Sequence, residues 1–320
     1  MEIWPYIATA NRACSLLYSF IKEHSCGVWL LPVNVCPDVP LTFCLAKVPF
    51  QFVDINPETL CIDISEVERI LHQSPIGYKG VLYVRTYGAL KETCSDFGRI
   101  KAISEDVLII DDRCLCIPER NPQFWDADML LYSTGHCKQI DLDGGGLAFY
   151  KKDTRFVIDY SLLYDGTDEE TLYKQAFSLG KPFTNIPQGW LKMDSYMLVN
   201  EYFAKIENQI SDRIQQRETI NEIYSSRLPF SIQLDNEYQS WRFNIRVSAP
   251  LKEQILDNLF KNGLFASSHY HSANRLFDNK RFPVSDLLHA SVINLFNDKY
   301  YSTEKALETC NVINSVISKQ

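Results

Sequence analysis

No apolar run in the sequence reaches membrane-spanning length, so a helix crossing a bilayer is not expected. A basic surplus is missing as well. The net charge is −8, with 32 Lys and Arg against 40 Asp and Glu, whereas a broad nucleic-acid surface needs the opposite balance. Zinc-site spacing is absent: Cys114 and Cys116 are separated by one residue rather than two, with no Cys or His pair nearby, and no metal is expected. The ten cysteines are otherwise scattered, several (Cys14, Cys44, Cys61) on apolar faces, as reduced core thiols of a cytosolic protein would be. The opening MEIWPYIATANRACSLL has no basic n-region, and Pro5, Asn11 and Arg12 interrupt its apolar residues. A secretory signal is therefore not expected, and the location is read as cytoplasmic. Repeats and low-complexity segments are also lacking, and 46% hydrophobic with 22% charged residues fits an ordinary globular protein.

A chain of 320 residues has room for one large core and a smaller lobe. Thr9-Ala10-Asn11-Arg12 precedes ACSLLYSFIKEH, apolar at helical spacing, with Thr9 or Asn11 as the N-cap. Such a helix start with Arg12 beside it suits a phosphate, although capping alone needs no ligand. Residues 27–32 read as a strand ending at Pro32, followed by a loop containing Asn34 and Cys36 and a second strand over 51–55. PETLCIDISEVERILHQ places Ile64, Val67, Ile70 and Leu71 on one helical face, with Asp63 or Ser65 as cap. A strand follows over 80–86, then a helix from Phe97, then a strand over 107–110 that delivers Asp111 and Asp112. Acids at that place are either functional partners or caps for the next segment. This alternation argues for an α/β domain with a largely parallel sheet. From Met193 the pattern changes to a long helix with Tyr196, Val199, Phe203, Ile206, Ile210 and Ile214 on one side, continuing to about Leu228. A strand (Trp241 to Val247), the helix LKEQILDNLFKNGL, the loop segment SSHYHSANRLF and a last helix from Thr303 make an α+β lobe. Two domains are expected, 1–228 and 229–320.

The chemistry centres on ADMLLYSTGHCKQIDLDGGG, residues 127–146. Met129 to Tyr132 is short and apolar enough for a buried strand, and Ser133, Thr134 and Gly135 end it with turn chemistry. Lys138 then stands just past a strand, where burial can strip its charge and make it an amine nucleophile for Schiff-base chemistry. Alone, the same stretch also reads as a solvated lysine before a hairpin turned by Gly144, Gly145 and Gly146. Taken with Asp112 and Ser133, Lys138 has one economical explanation, pyridoxal phosphate. That cofactor needs an amine partner, an acid at its ring nitrogen and donors around its phosphate. Lys138, Asp112, and Ser133 with the Asn11/Arg12 helix start would supply them.

These residues resemble the DegT/DnrJ/StrS family of pyridoxal-phosphate-dependent sugar aminotransferases over nearly the whole chain. LLPVNVCPDV with QFVDINPETLCID is similar to the family's segment from a strand-ending proline to "vDi…tl.id". YVRTYGAL is similar to "vh.yG.p", LIIDD to "viED", and YSTGHCKQIDLDGGG to "fSf…K……GG". The segments MDSYMLVNEYFAKIENQISDRIQQR, KNGLFASSHYHSANRLF and FPVSDLLHASVINLF resemble the family's interface helix and small domain. Departures are Leu115, where the family usually has glutamine or histidine, Cys36, where an aromatic commonly stacks on the ring, and Asn11-Arg12 in place of a small Gly-Thr motif. Asn185 and Lys192 lie near the place of the interface asparagine.

The resemblance implies fold type I of these transferases: an α/β large domain on a mostly parallel seven-stranded sheet and a small C-terminal α+β domain. It implies a homodimer with the active site at the interface, and amino transfer from an amino acid such as glutamate to a keto group of a nucleotide-linked sugar. It places Lys138 and Asp112 as catalytic residues, Asn11, Arg12, Cys36 and Ser133 against the cofactor, and His269 and Tyr270 against the sugar. His269 as a simple loop donor remains open. Arg242, Arg246 and Arg275 are candidates for gripping a carboxylate or diphosphate, or for surface ion pairs. Leu115 and Cys36 motivate two alternatives, a different keto or amino substrate and a non-catalytic cofactor-binding relative.

Overall fold

In the computed structural model the described residues are 6–74, 76–158, 198–278 and 280–319. Seven strands form the main sheet: β1 (Tyr6–Ala10), β2 (Val28–Pro32), β3 (Phe50–Val53), β4 (Tyr78–Val84), β5 (Leu108–Asp112), β6 (Met129–Ser133) and β7 (Gly146–Tyr150). Their order is β1-β7-β6-β5-β4-β2-β3, and β7 alone among them runs against its neighbours. Helices α1 (Ala13–Glu23), α2 (Asp38–Ala46), α3 (Ile64–Gln73) and α4 (Cys94–Ile103) cover the sheet. Because successive strand residues point to opposite faces, Leu31, Leu82, Ile110 and Leu131 pack with α1 and α2. Leu30, Val81, Ile109 and Leu130 pack with α3, α4 and the start of a long helix, α5 (Val199–Arg227). Burial on both faces is why these strands read as near-continuous apolar runs.

The α3 start follows the sequence closely, Asp63 capping it by accepting the Ser65 N–H. The α1 start does not. Thr9 lies inside β1, paired with Leu147, and Arg12 is the N-cap without a side-chain capping bond. Antiparallel pairing extends to Ala10 opposite Gly146, which leaves neither Thr9 nor Asn11 in the capping position. The stretch after Asn34 and Cys36 forms α2 rather than loop. Pro40 falls in its first turn, where a helix has no use for the missing N–H.

A second core gathers on a three-stranded antiparallel sheet, β8 (Phe243–Arg246), β10 (Val292–Leu295) and β9 (Ala266–Ser267), in the order β8-β10-β9. Helices α6 (Ala249–Lys261) and α8 (Thr303–Ile317) and the last turns of α5 pack on it through Ile220, Tyr224, Ile255, Leu259, Cys310 and Ile313. Helix α7 (Pro283–Ser291) is tied to the main sheet by Asp54, just past β3, whose carboxylate accepts the N–H groups of Val284 and Ser285, both at 3.0 Å. Tyr87, Leu115, Tyr238, Trp241 and Leu288 form an apolar seam between the two sheets. No helix among the described residues is long and apolar enough to cross a membrane.

Candidate active site

Strands β2, β4, β5 and β6 are mutually parallel and end on one edge of the sheet at Pro32, Val84, Asp112 and Ser133. Ligands of open α/β sheets bind at such an edge. Asp112 is buried there, with Oδ1 accepting the Cys114 N–H at 2.9 Å. Burial pushes its carboxyl above the usual range, opposed by the Cys114 hydrogen bond and the charge of Lys138. Its neighbour Asp111 faces the other way. Arg85 Nε and Nη2 reach Asp111 at 2.7 and 2.8 Å and Arg113 Nε at 2.9 Å, while Trp125 lies about 5 Å from both guanidinium carbons. This buried triad anchors the end of β5. Sequence reasoning missed it, although Arg85 and Arg113 each follow an apolar strand.

Lys138 lies in the loop after β6, partly exposed. Burial pushes its ammonium down, but Cys114, Cys36, Asp112 and Asp38 outweigh that, so its pKa stands above the ordinary lysine value. Burial likewise pushes both thiols well above theirs. Burial therefore does not by itself strip the charge from this amine, because the acidic groups around it oppose the effect.

The loop carrying Lys138 is clamped from behind. Arg217 of α5, 6% exposed, donates through Nη2 to the carbonyls of Lys138 and Gln139 at 3.2 and 3.4 Å. Its Nη1 donates to the Trp241 carbonyl at 2.6 Å and to Asn297 Oδ1 at 2.5 Å. Burial pushes this guanidinium down to about 10. Trp241 Nε1 donates to the Cys137 carbonyl at 2.8 Å, and Gln139 Nε2 to the Leu115 carbonyl at 2.7 Å. Leu115 itself packs in the apolar seam, which accounts for an apolar residue at that position. Arg217 also escaped the sequence reading, yet it continues the α5 stripe of Ile206, Ile210 and Ile214 at helical spacing, and a charge on an apolar stripe is the signal that could have found it.

Ser133 is buried at the end of β6, its Oγ accepting the Gly135 N–H at 3.3 Å. The start of α1 is brought against this loop by glycine. The Gly145 N–H donates to the Asn11 carbonyl at 2.5 Å, and a Cβ on Gly146 would stand 2.5 Å from the Ala13 nitrogen. Asn11, Arg12, Ser133 and Lys138 therefore share one corner. Cys36 and Tyr270 join it electrostatically: Lys138 acts on Cys36, and burial followed by Cys36, Asp38 and Asp112 pushes the Tyr270 hydroxyl well up.

His269 is pushed down to about 4 by burial, then by Arg242 and Lys138, so its ring is neutral at pH 7. Arg242 is 3% exposed, stacked 3.4 Å from the Phe296 ring centre. Its Nε and Nη1 have no hydrogen-bond partner among the described residues, and Nη1 reaches Asp298 Oδ2 only at 3.7 Å. Arg246 and Arg275 stand apart from this group, Arg246 Nε on Ser291 Oγ at 3.0 Å and Arg275 at 3.9 Å from Asp286. His136, two residues before the lysine, is exposed and lies 3.6 Å from Asp141. Asn185, Lys192 and the expected helix start at 193–197 lie outside the described residues.

No protein-family model matches the chain, and no curated protein does. Solved structures do. NtdA from Bacillus subtilis, solved with bound PMP, is similar with a TM-score of 0.73 and 18% identity over 99% of this chain and 74% of its own. PseC from Helicobacter pylori, an aminotransferase of pseudoaminic acid biosynthesis, gives 0.70 and 15% over 98% and 87%. A DegT/DnrJ/EryC1/StrS aminotransferase from Brucella abortus gives 0.66 and 15% over 98% and 86%. Identity at this level speaks for the fold, and the chain has the fold of the pyridoxal-phosphate-dependent aminotransferases it resembles.

Proposed function

We propose that the protein is a pyridoxal-phosphate-dependent aminotransferase moving an amino group from an amino acid, with glutamate as the first candidate, to a keto group of a nucleotide-linked sugar. The observation that carries this reading is the place of Lys138 at the carboxyl edge of a parallel sheet, in the fields of Asp112 and Cys36, with Tyr270 in the fields of the same two. The residues fit the cofactor. A carboxylate as buried as Asp112 keeps its charge only beside a cation, which suits a protonated ring nitrogen. Asn11, Arg12 and Ser133 at the α1 start suit a phosphate. Cys36 stands at the sequence position where the family it resembles commonly has an aromatic against the ring.

When bound, pyridoxal phosphate supplies an aldehyde for amines and a ring that draws off electrons. Asp112 would hold the ring nitrogen protonated. Lys138 Nζ, kept near by the Arg217 clamp on its carbonyl, would act as base and then acid at the substrate carbon once it has released its own proton. Arg242, with two buried donors lacking acceptors, binds the substrate carboxylate or diphosphate, and neutral His269 with Tyr270 lines the sugar side. The reading includes a cytoplasmic homodimer with the site at its interface, in lobes divided at 228 and 229.

The test is visible absorption of the purified protein with pyridoxal phosphate, before and after glutamate, beside Lys138→Ala. A cofactor band that glutamate converts, and that the variant lacks, supports the cofactor, the lysine and the donor together. No band in the unaltered protein would end this reading. The apolar packing of Leu115 favours a second reading, an acceptor other than a nucleotide-linked sugar, and turnover of free keto acids in preference to a nucleotide-linked ketosugar would select it. A band without single-turnover transfer would indicate a non-catalytic relative.

A further inference from the structure

The loop that carries Lys138 also brings three metal-ligating side chains together. His136 stands before the lysine, and Asp141 and Asp143 follow it. One ligand atom from each, a ring nitrogen of His136 and a carboxylate oxygen of Asp141 and of Asp143, all lie within 4.8 Å of one another. Leu142 closes the base of the loop, its N–H donating to the Thr134 carbonyl at 2.8 Å. The arm with His136 and the arm with the two acids are thereby held side by side.

Asp141 is the buried member, 7% exposed, and only half of its carboxylate is satisfied. Oδ1 accepts the Asp143 N–H at 3.0 Å, whereas Oδ2 accepts no hydrogen bond among the described residues. Oδ2 stands 3.6 Å from His136 Nδ1 and 3.6 Å from Lys299 Nζ, both beyond hydrogen-bond length. Two ligands of a tetrahedral zinc ion, each about 2.1 Å from the metal, stand about 3.4 Å apart. The spacing of His136 and Asp141 is therefore that of a ligand pair. Two carboxylates against the single ammonium of Lys299 leave an excess of negative charge, which a dication offsets. Lys299 has a second resting place, over the Tyr300 ring at 4.9 Å, when it gives up its share of Asp141. The cysteine spacing that spoke against zinc in the sequence does not bear on this set, which draws on imidazole and carboxylate.

We propose that His136, Asp141 and Asp143 form a site for a divalent transition-metal ion, zinc by its ligand set, with water completing the coordination. The ion staples the loop across Lys138, joining the arm before the lysine to the arm after it. Arg217 holds the same loop through the Lys138 and Gln139 carbonyls, so the metal adds a second, separable restraint. Lys299 competes with the ion for Asp141. The site stands without the cofactor reading.

The experiment is titration of cobalt(II), a spectroscopic stand-in for zinc, into the full cofactor-free chain under anaerobic conditions, followed by visible absorption and then by competition with zinc. His136→Ala, Asp143→Asn and Lys299→Met are titrated beside the unaltered protein. Expected are one saturable site that zinc empties of cobalt, affinity lowered about tenfold or more in each of the first two variants, and affinity raised several-fold in Lys299→Met. His136 and Asp143 are exposed, so their variants report without replacing buried Asp141. Zinc should also slow amide exchange in the loop peptide of the unaltered protein and leave it unchanged in His136→Ala. No saturable binding, affinity unchanged in both His136→Ala and Asp143→Asn, or the intense charge-transfer band of a cobalt-bound thiolate would each overturn the site. Binding that leaves amide exchange in the loop unaltered would overturn the staple.

Discussion

Arg217 holds the carbonyl of Lys138 at 3.2 Å from a helix 79 residues further along the chain. The same guanidinium serves Gln139, Trp241 and Asn297, so one side chain joins the Lys138 loop to the end of the second core where β8 begins and β10 finishes.

Replacing Arg217 with methionine leaves several buried acceptors without donors and is expected to cost about 3 kcal/mol of stability. Arg217→Lys should recover less than half of that loss, because a single ammonium cannot span the positions of a planar fork. Urea unfolding of the two variants beside the unaltered protein measures both effects, and equal stability of all three would mean that the clamp is not holding the loop.

The pH behaviour of Lys138 follows from its neighbours. Its folded value is raised, so the stability it contributes is complete below the ordinary lysine value and is lost only as pH climbs through the folded value above it. Removing one carboxylate by Asp112→Asn should lower the pKa of Lys138. In the cofactor-free protein the variant's Lys138 is then acylated several-fold faster at pH 9, with the two rates converging at higher pH. Peptide mass spectrometry after timed acylation reads the rate at this lysine, and a slower reaction in the variant would contradict the arrangement.

Gly146→Ala would put a Cβ 2.5 Å from the backbone nitrogen of Ala13, and backbone cannot turn aside. The expected cost is about 2 kcal/mol or more, with weaker binding of pyridoxal phosphate because the α1 start must retreat. Gly98→Ala is the control, since nothing lies within 4 Å of its added carbon. Thermal unfolding and cofactor titration should separate the two variants.

Much of this arrangement was legible from residue order. Strands buried on both faces announce themselves as apolar runs, and Asp63 declared the α3 start through its own side-chain bond. Ser133, Asp112 and Lys138 could be placed near one another because strand ends in a parallel sheet share an edge. Other parts depend on distant partners. β1 is five residues long and owes its place to β7. Helix α2 hides behind Pro37 and Pro40, which read as loop until their place at the helix start is known. The raised pKa of Lys138 needs Asp38 and Asp112 in space, and spacing along the chain cannot supply their distances.

The reversed direction of β7 has a kinetic consequence. β1 is made first, yet its hydrogen-bonding partner is completed only about 140 residues later, a wait of roughly 10 to 30 seconds at usual elongation rates. During that interval the nascent chain can pair β2, β3, β4 and β5, whereas the corner containing Asn11 and Arg12 cannot close. Assembly of the main sheet therefore ends at β1, and the corner holding Asn11 and Arg12 is among the last parts of it to form on the ribosome.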